Sequence, residues 1–117
     1  MLSIAHIVID TGDAAALAGF WSQALSRPVD EGANGFFATI GRDKPDGRPA
    51  LMFLKVPEGK TVKNRLHIDL SGPDWRAEAD RLVSLGATKL SEHAEYGIEW
   101  ITLADPEGNE FDLAAGD

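Results

Sequence analysis

Polar and apolar residues alternate in the same way along two short stretches of the chain. In SIAHIVI (Ser3 to Ile9), Ala5, Ile7 and Ile9 fall on one side and Ile4, His6 and Val8 on the other. In RLHIDL (Arg65 to Leu70), Leu66, Ile68 and Leu70 oppose Arg65, His67 and Asp69. A period of two predicts a β-strand in each place. The pattern then changes to helical spacing, with Leu17, Phe20, Trp21, Ala24 and Leu25 on one stripe and Trp75, Ala79, Leu82, Val83 and Leu85 on another. Both Trp21 and Trp75 read as core residues. The first helix starts at DTGD (Asp10 to Asp13). The second starts at SGPD, where Ser71 and Asp74 have capping-box spacing, Pro73 suits the first turn, and Gly86 is placed to end the helix.

Three extended segments are predicted after each helix: Pro28 to Asp30, GFFATI and ALMFLKV in the first half, and ATKLSE, IEWITL and EFDLA in the second. DKPDGRP and ADPEGN read as turns, with Pro106 and Gly108 at the second and fourth positions of a type I turn. SEHAEYG reads as a loop with a solvated His93. Each half is therefore βαβββ, and three landmarks repeat at an offset of 61: His6 with His67, Asp13 with Asp74, Gly47 with Gly108. The expected fold is α+β, with two tandem βαβββ modules forming a curved, partly open sheet cup and the helices outside. One domain over 1–117 is expected, with module 1 at about 1–56, a polar linker at 57–64 and module 2 at about 65–117.

Period-two reasoning also assigns faces. Ile7, Ile9, Ile68 and Leu70 turn toward the helices, leaving His6, Val8, His67 and Asp69 for the cup. On the last strand Phe111 and Leu113 pack on the helix, which sends Glu110 and Asp112 into the cup. Trp100 either lines the cup or supports the sheet from behind. Phe36 and Phe37 point to opposite faces, so one of them, taken as Phe37, enters the cup.

The net charge of −8 would repel a nucleic-acid backbone and an anionic membrane surface, so neither is an expected partner. No apolar run is long enough to span a membrane, and the first residues lack the basic region of a secretory signal; the default location is cytoplasmic. The absence of cysteine excludes thiol chemistry and Cys-ligated zinc. No nucleophile elbow or phosphate-binding glycine loop is present.

HIVIDTGDAAALAGFW at the start, KNRLHIDL at the middle and WITLADPEGNEFDL at the end resemble the vicinal oxygen chelate superfamily, the glyoxalase, bleomycin-resistance and extradiol dioxygenase group, and within it the small bacterial glyoxalase-like domains. The resemblance implies up to four metal ligands, one on the first and one on the last strand of each module. Carried to this chain, His6, His67 and Asp112 occupy three of these positions. The fourth falls between Leu51 and Leu54, where only Met52 offers a weak donor, so the four-ligand pattern of glyoxalase I is broken. Two histidines and a carboxylate suit one divalent ion, iron, zinc, nickel or manganese, with open positions for substrate.

Three functions follow from the resemblance. The first is a domain that binds a small organic molecule through Arg65, Trp100, Phe37 and Asp69, with or without a metal. The second is a metal-dependent lyase, isomerase or extradiol-type dioxygenase, and the third a non-catalytic structural or regulatory dimer. The resemblance also implies a homodimer. Each histidine has a plainer role open to it as well: His6 packed beside Val8, and His67 held by Arg65 and Asp69. For Asp112 the plainer role is a pair with Arg65.

Overall fold

The computed structural model describes residues 1–116 and divides into two compact units, residues 1–59 and residues 60–117. Among the described residues no helix is long and apolar enough to cross a membrane.

In the first unit, β1 (His6–Thr11), α1 (Ala14–Leu25), β2 (Phe37–Ile40) and β3 (Ala50–Lys55) form a three-stranded sheet of order β1-β3-β2 under one helix. β1 and β3 are parallel and β2 and β3 antiparallel. The chain turns into α1 at Thr11, whose hydroxyl accepts from the Asp13 amide, and the Asp13 carboxylate then caps the helix by accepting from Ala16 N at 3.2 Å. Leu17, Phe20 and Trp21 of α1 are buried together with Ala38, Ile40, Leu51 and Phe53 of the sheet. Each such side chain contributes about 1.5–3 kcal/mol on leaving water.

The extended segment expected at Pro28 to Asp30 reduces to a single bridge between Val29 and Ile40. The cause is Asp30. Its amide donates to Thr39 O and its carboxylate accepts from the Thr39 hydroxyl and the amides of Arg42 and Asp43, which ties it to the following turn. Gly32, at φ 87°, then carries the chain out of line. This half therefore has three strands and a bridge where four strands were expected.

The second unit contains β4 (Ile68–Gly72), α2 (Trp75–Ser84), β5 (Thr88–Glu95), β6 (Ile98–Ala104) and β7 (Glu110–Ala115), in a sheet of order β4-β7-β6-β5. Ala79 and Leu82 of α2 are buried with Ile101, Leu103, Phe111 and Leu113. Two local expectations fail here. Ser71 belongs to β4, where it pairs with Ala114, so the capping box does not form and Asp74 caps α2 without a side-chain hydrogen bond. Trp75 is half-buried rather than core: it is the first residue of α2, at the open end of the stripe, with the Arg76 guanidinium 4.4 Å from its ring centroid; Val83, expected on the same stripe, is exposed.

The turn in ADPEGN forms as expected, with Gly108 N donating to Asp105 O. Buried Asp105 also accepts from the amides of Glu107 and Asn109 and from the Asn109 side chain, so the turn is closed by its own first residue.

Candidate functional site

One face of the second sheet packs on α2; the register shows what occupies the other. Asp69 pairs with Asp112 across β4 and β7, Asp112 with Thr102 across β7 and β6, and Thr102 with Ser91 across β6 and β5. Paired residues share a face, so these four make one row. The adjoining row is Ser71, Ala114, Trp100 and His93. The register shift between Lys89 and Ser91 is what turns Ser91 and His93 to this face.

His67 stands immediately before β4. Its Nδ1 lies 2.8 Å from Asp69 Oδ1 and 3.9 Å from Asp112 Oδ2, while the Thr102 hydroxyl donates to Asp112 Oδ1 at 2.6 Å. Ligand atoms of His67, Asp69 and Asp112 all lie within 4.8 Å of one another. When Nδ1–H donates to Asp69, the ring is fixed and its lone pair sits on Nε2. Asp112 is fixed from its other side, because Thr102 holds one oxygen and leaves the second turned toward His67. Two carboxylates and one imidazole make this a cation-attracting group.

His93 lies within β5, half-buried, and not in a loop. Its ring stacks on Trp100, with centroids 4.8 Å apart and planes 15° apart, and its Nε2 lies 2.7 Å from Ser91 Oγ. Ser91, His93 and Thr102 are the residues sequence reasoning missed. Thr102 carried a usable signal, since it is two residues from Trp100 and therefore on the same face. Polar SEHAE conceals its alternation, because both sets of positions are hydrophilic.

Glu110, two residues before Asp112 on β7, is held below the usual carboxylate range. Burial alone would raise it, and the amides of Asn64 and of Glu110 itself, with the Lys60 ammonium, outweigh that. Arg65 is exposed in the segment before β4, and the partner found on Asp112 is Thr102 and not Arg65.

The face of the first sheet away from α1 carries His6, Val8 and Asp10 of β1, Met52 and Leu54 of β3, and Phe37 and Thr39 of β2. His6 is exposed; Phe37 is half-buried, with the Arg42 guanidinium 6.0 Å from its ring centroid.

A family model described as a glyoxalase-like domain matches residues 6–114. The chain belongs to this family. A search of curated proteins gave no match. Among solved structures, the chain is similar to a glyoxalase/bleomycin resistance protein/dioxygenase family enzyme from Burkholderia phytofirmans PsJN, at 19% identity and TM-score 0.76 over 97% of this chain and 98% of the other. A bleomycin-binding protein from Streptomyces verticillus, complexed with copper(II)-bleomycin, matches at 18% identity and TM-score 0.65 over 100% of both chains. A mutant of the fosfomycin resistance protein FosX from Listeria monocytogenes, complexed with Mn(II) and a dihydroxypropylphosphonic acid, matches at 14% identity and TM-score 0.76 over 100% of this chain and 92% of the other. At these identities the likeness is one of fold. The glyoxalase-like, vicinal oxygen chelate architecture expected from the sequence is therefore that of the chain.

Proposed function

We propose that this glyoxalase-like domain binds a small organic molecule on the free face of its second sheet. The observation that carries the reading is that Trp100, stacked on His93, lies one register row from the His67, Asp69 and Asp112 group. An aromatic platform beside a few convergent polar groups is the usual make-up of a small-molecule site. Ala114, between Trp100 and Ser71 in that row, puts only a methyl group beside the indole on the side away from His93. Arg65 is proposed as a further ligand contact, and Phe37, on the free face of the first sheet, as a contact for a ligand bound to that unit. Relatives of the same fold that hold bleomycin or a phosphonate support a ligand of this size.

The test is calorimetric titration with copper(II)-bleomycin, fosfomycin and simple catechols, with and without Mn(II). Saturable binding of any of these, weakened roughly 2- to 12-fold by Trp100→Ala, is the expected result, since one stacking contact contributes about 0.5–1.5 kcal/mol. No saturable binding across the panel would overturn it.

A second reading, metal-dependent catalysis, is favoured by the hydrogen bond from His67 to Asp69. A carboxylate that takes one ring N–H and leaves the other nitrogen free is the usual support of a metal-bound histidine. The donor set fits a divalent cation, with His67 and Asp112 as ligands and Asp69 as the positioning residue. His6 holds the corresponding strand position in the first unit and is proposed as a ligand there in its own right; metal content unchanged in His6→Ala would overturn that. When bound, such an ion polarises substrate oxygens. Metal content of the reconstituted protein, by elemental mass spectrometry, tests this reading: about one equivalent lost in Asp112→Ala supports it, and no retained metal overturns it.

A further inference from the structure

The register of β5 on β6 sorts SEHAE into two faces. Ser91 pairs with Thr102, His93 with Trp100 and Glu95 with Ile98, so serine, histidine and glutamate follow one another on one face. Glu92 and Ala94 take the other. The register shift just before Ser91 sets this order, and such irregularities re-aim the side chains that follow them.

Two of the three residues are already joined. Ser91 Oγ lies 2.7 Å from His93 Nε2, and both residues are half-buried. With the ring hydrogen on Nδ1, Nε2 accepts from the Ser91 hydroxyl, which is the pairing of a nucleophile with its general base. The stack on Trp100, with planes 15° apart, holds the ring in that position. Neighbouring polar groups are committed elsewhere. The Thr102 hydroxyl, beside Ser91 in its row, donates to Asp112, and Glu92 pairs with Lys89 and Arg76. Among the described residues neither His93 Nδ1 nor the exposed Glu95 carboxylate has a hydrogen-bond or ion-pair partner. Alternate residues of a strand are about 6.8 Å apart, a span that a glutamate side chain bridges by rotating toward the ring.

We infer that Ser91 is a nucleophile for acyl transfer, with His93 as its general base and Glu95 as the positioning residue behind the ring. In this step the Ser91 oxygen bonds to the acyl carbon of an ester and its proton passes to His93 Nε2. The ester C–O bond breaks, and the leaving oxygen takes the proton from the ring. Water then attacks the acyl-serine by the same route, giving a carboxylic acid and restoring Ser91. Trp100, in the same row as His93, suits small activated esters that carry an aromatic group. The step draws on none of His67, Asp69 and Asp112 and so stands apart from the metal reading above.

Burst kinetics with p-nitrophenyl acetate, in the presence of a chelator, test this on the intact chain. Nitrophenolate release of about one equivalent is expected, with the acetyl group on Ser91 by peptide mass mapping. Ser91→Ala should abolish the burst, and His93→Gln should slow it by about 100-fold or more, the usual contribution of a general base. The wild-type rate should rise with pH as the base loses its proton, and His93→Gln should lack that rise. Glu95→Gln should slow acylation several-fold and Glu95→Asp should recover part of the loss; a rate unchanged in Glu95→Gln would overturn the role of Glu95. Glu92→Gln, on the opposite face, should leave the rate unchanged, which separates loss of the dyad from disturbance of the edge strand. No burst in the wild type, an acetyl group only on lysines, or a full burst in Ser91→Ala would overturn the inference.

Discussion

Asn64 and Glu110 hold each other by two hydrogen bonds that run in opposite directions. The Asn64 amide donates to Glu110 Oε2 at 3.2 Å, and the Glu110 amide donates to Asn64 Oδ1 at 3.1 Å. Asn64 Nδ2 adds a bond to Asn109 Oδ1, and Lys60 adds an ion pair to Glu110 at 3.1 Å. These contacts fasten the segment before β4 to the start of β7, and His67 is the third residue beyond the fastening.

Asn64→Ala should therefore do two things. It leaves the part-buried Glu110 amide without its acceptor, and urea denaturation should show a loss of about 1–3 kcal/mol. It should also weaken Mn(II) binding, because His67 loses the anchor that sets its approach to Asp112. A stability loss with unchanged metal affinity would show that the anchor serves the fold alone.

The Glu110 carboxyl gives a pH prediction. Its folded value lies below the ordinary 4.5, so the folded state favours the charged form. That contribution is complete above the unfolded value and is lost as pH falls through the folded one. Glu110→Gln should accordingly be less stable than the wild type at neutral pH, and the gap should narrow as pH drops below 4.5. Denaturation midpoints at successive pH values check this; a gap that stays constant down to acid pH would mean the charge of Glu110 contributes nothing.

The strand of His6, the stripe of α1 and the Asp112 face were legible in the sequence because each rests on a simple period, whereas His67, expected inside its strand, stands one residue before β4, and on α2 only Ala79 and Leu82 of the expected stripe are buried while Val83 is exposed. What escaped reading has other physical causes. The strand at Val29 is cut short by Asp30, whose carboxylate satisfies the Thr39 hydroxyl of β2 and two amides of the next turn; side-chain competition of this kind has no periodic signature. Ser71 had the spacing of a cap, but the pairing of β4 with β7 extends through it and overrides the local preference. His93 escaped because β5 is an edge strand, polar on both sides, and a one-residue register shift decides which of its residues meet Trp100.

In the first unit Arg27 is buried beside Gly41. Its guanidinium binds Asp46 through Nε and Nη2 and donates from Nη1 to Pro49 O at 2.8 Å, which pins the loop between β2 and β3. A Cβ at position 41 would lie 2.1 Å from Arg27 Nη2, and the backbone there has φ 78°. Gly41→Ala should cost about 1–3 kcal/mol from the backbone conformation alone, more as Arg27 is displaced. Thermal unfolding measures the total, and faster proteolysis within residues 42–49 would locate it. A melting temperature equal to wild type would show that Arg27 shifts without loss.

Asp69 offers the sharpest separation of roles in the candidate site. If His67 binds metal through Nε2, Asp69 acts only through the imidazole, by accepting Nδ1–H at 2.8 Å. Removing such a supporting carboxylate typically lowers metal affinity about 10–100-fold without abolishing it. Asp69→Ala should therefore weaken Mn(II) by that factor, and Asp69→Asn by less, since an amide oxygen still accepts the ring hydrogen. Asp112→Ala, which removes a ligand, should abolish binding. Titrations followed by the free Mn(II) signal in electron paramagnetic resonance give all three affinities under one condition. If Asp69→Asn and Asp69→Ala abolish binding as Asp112→Ala does, Asp69 is itself a ligand, as its place within 4.8 Å of both other donors allows. If neither variant differs from wild type, the bond to His67 is a surface contact and the imidazole is oriented by something else.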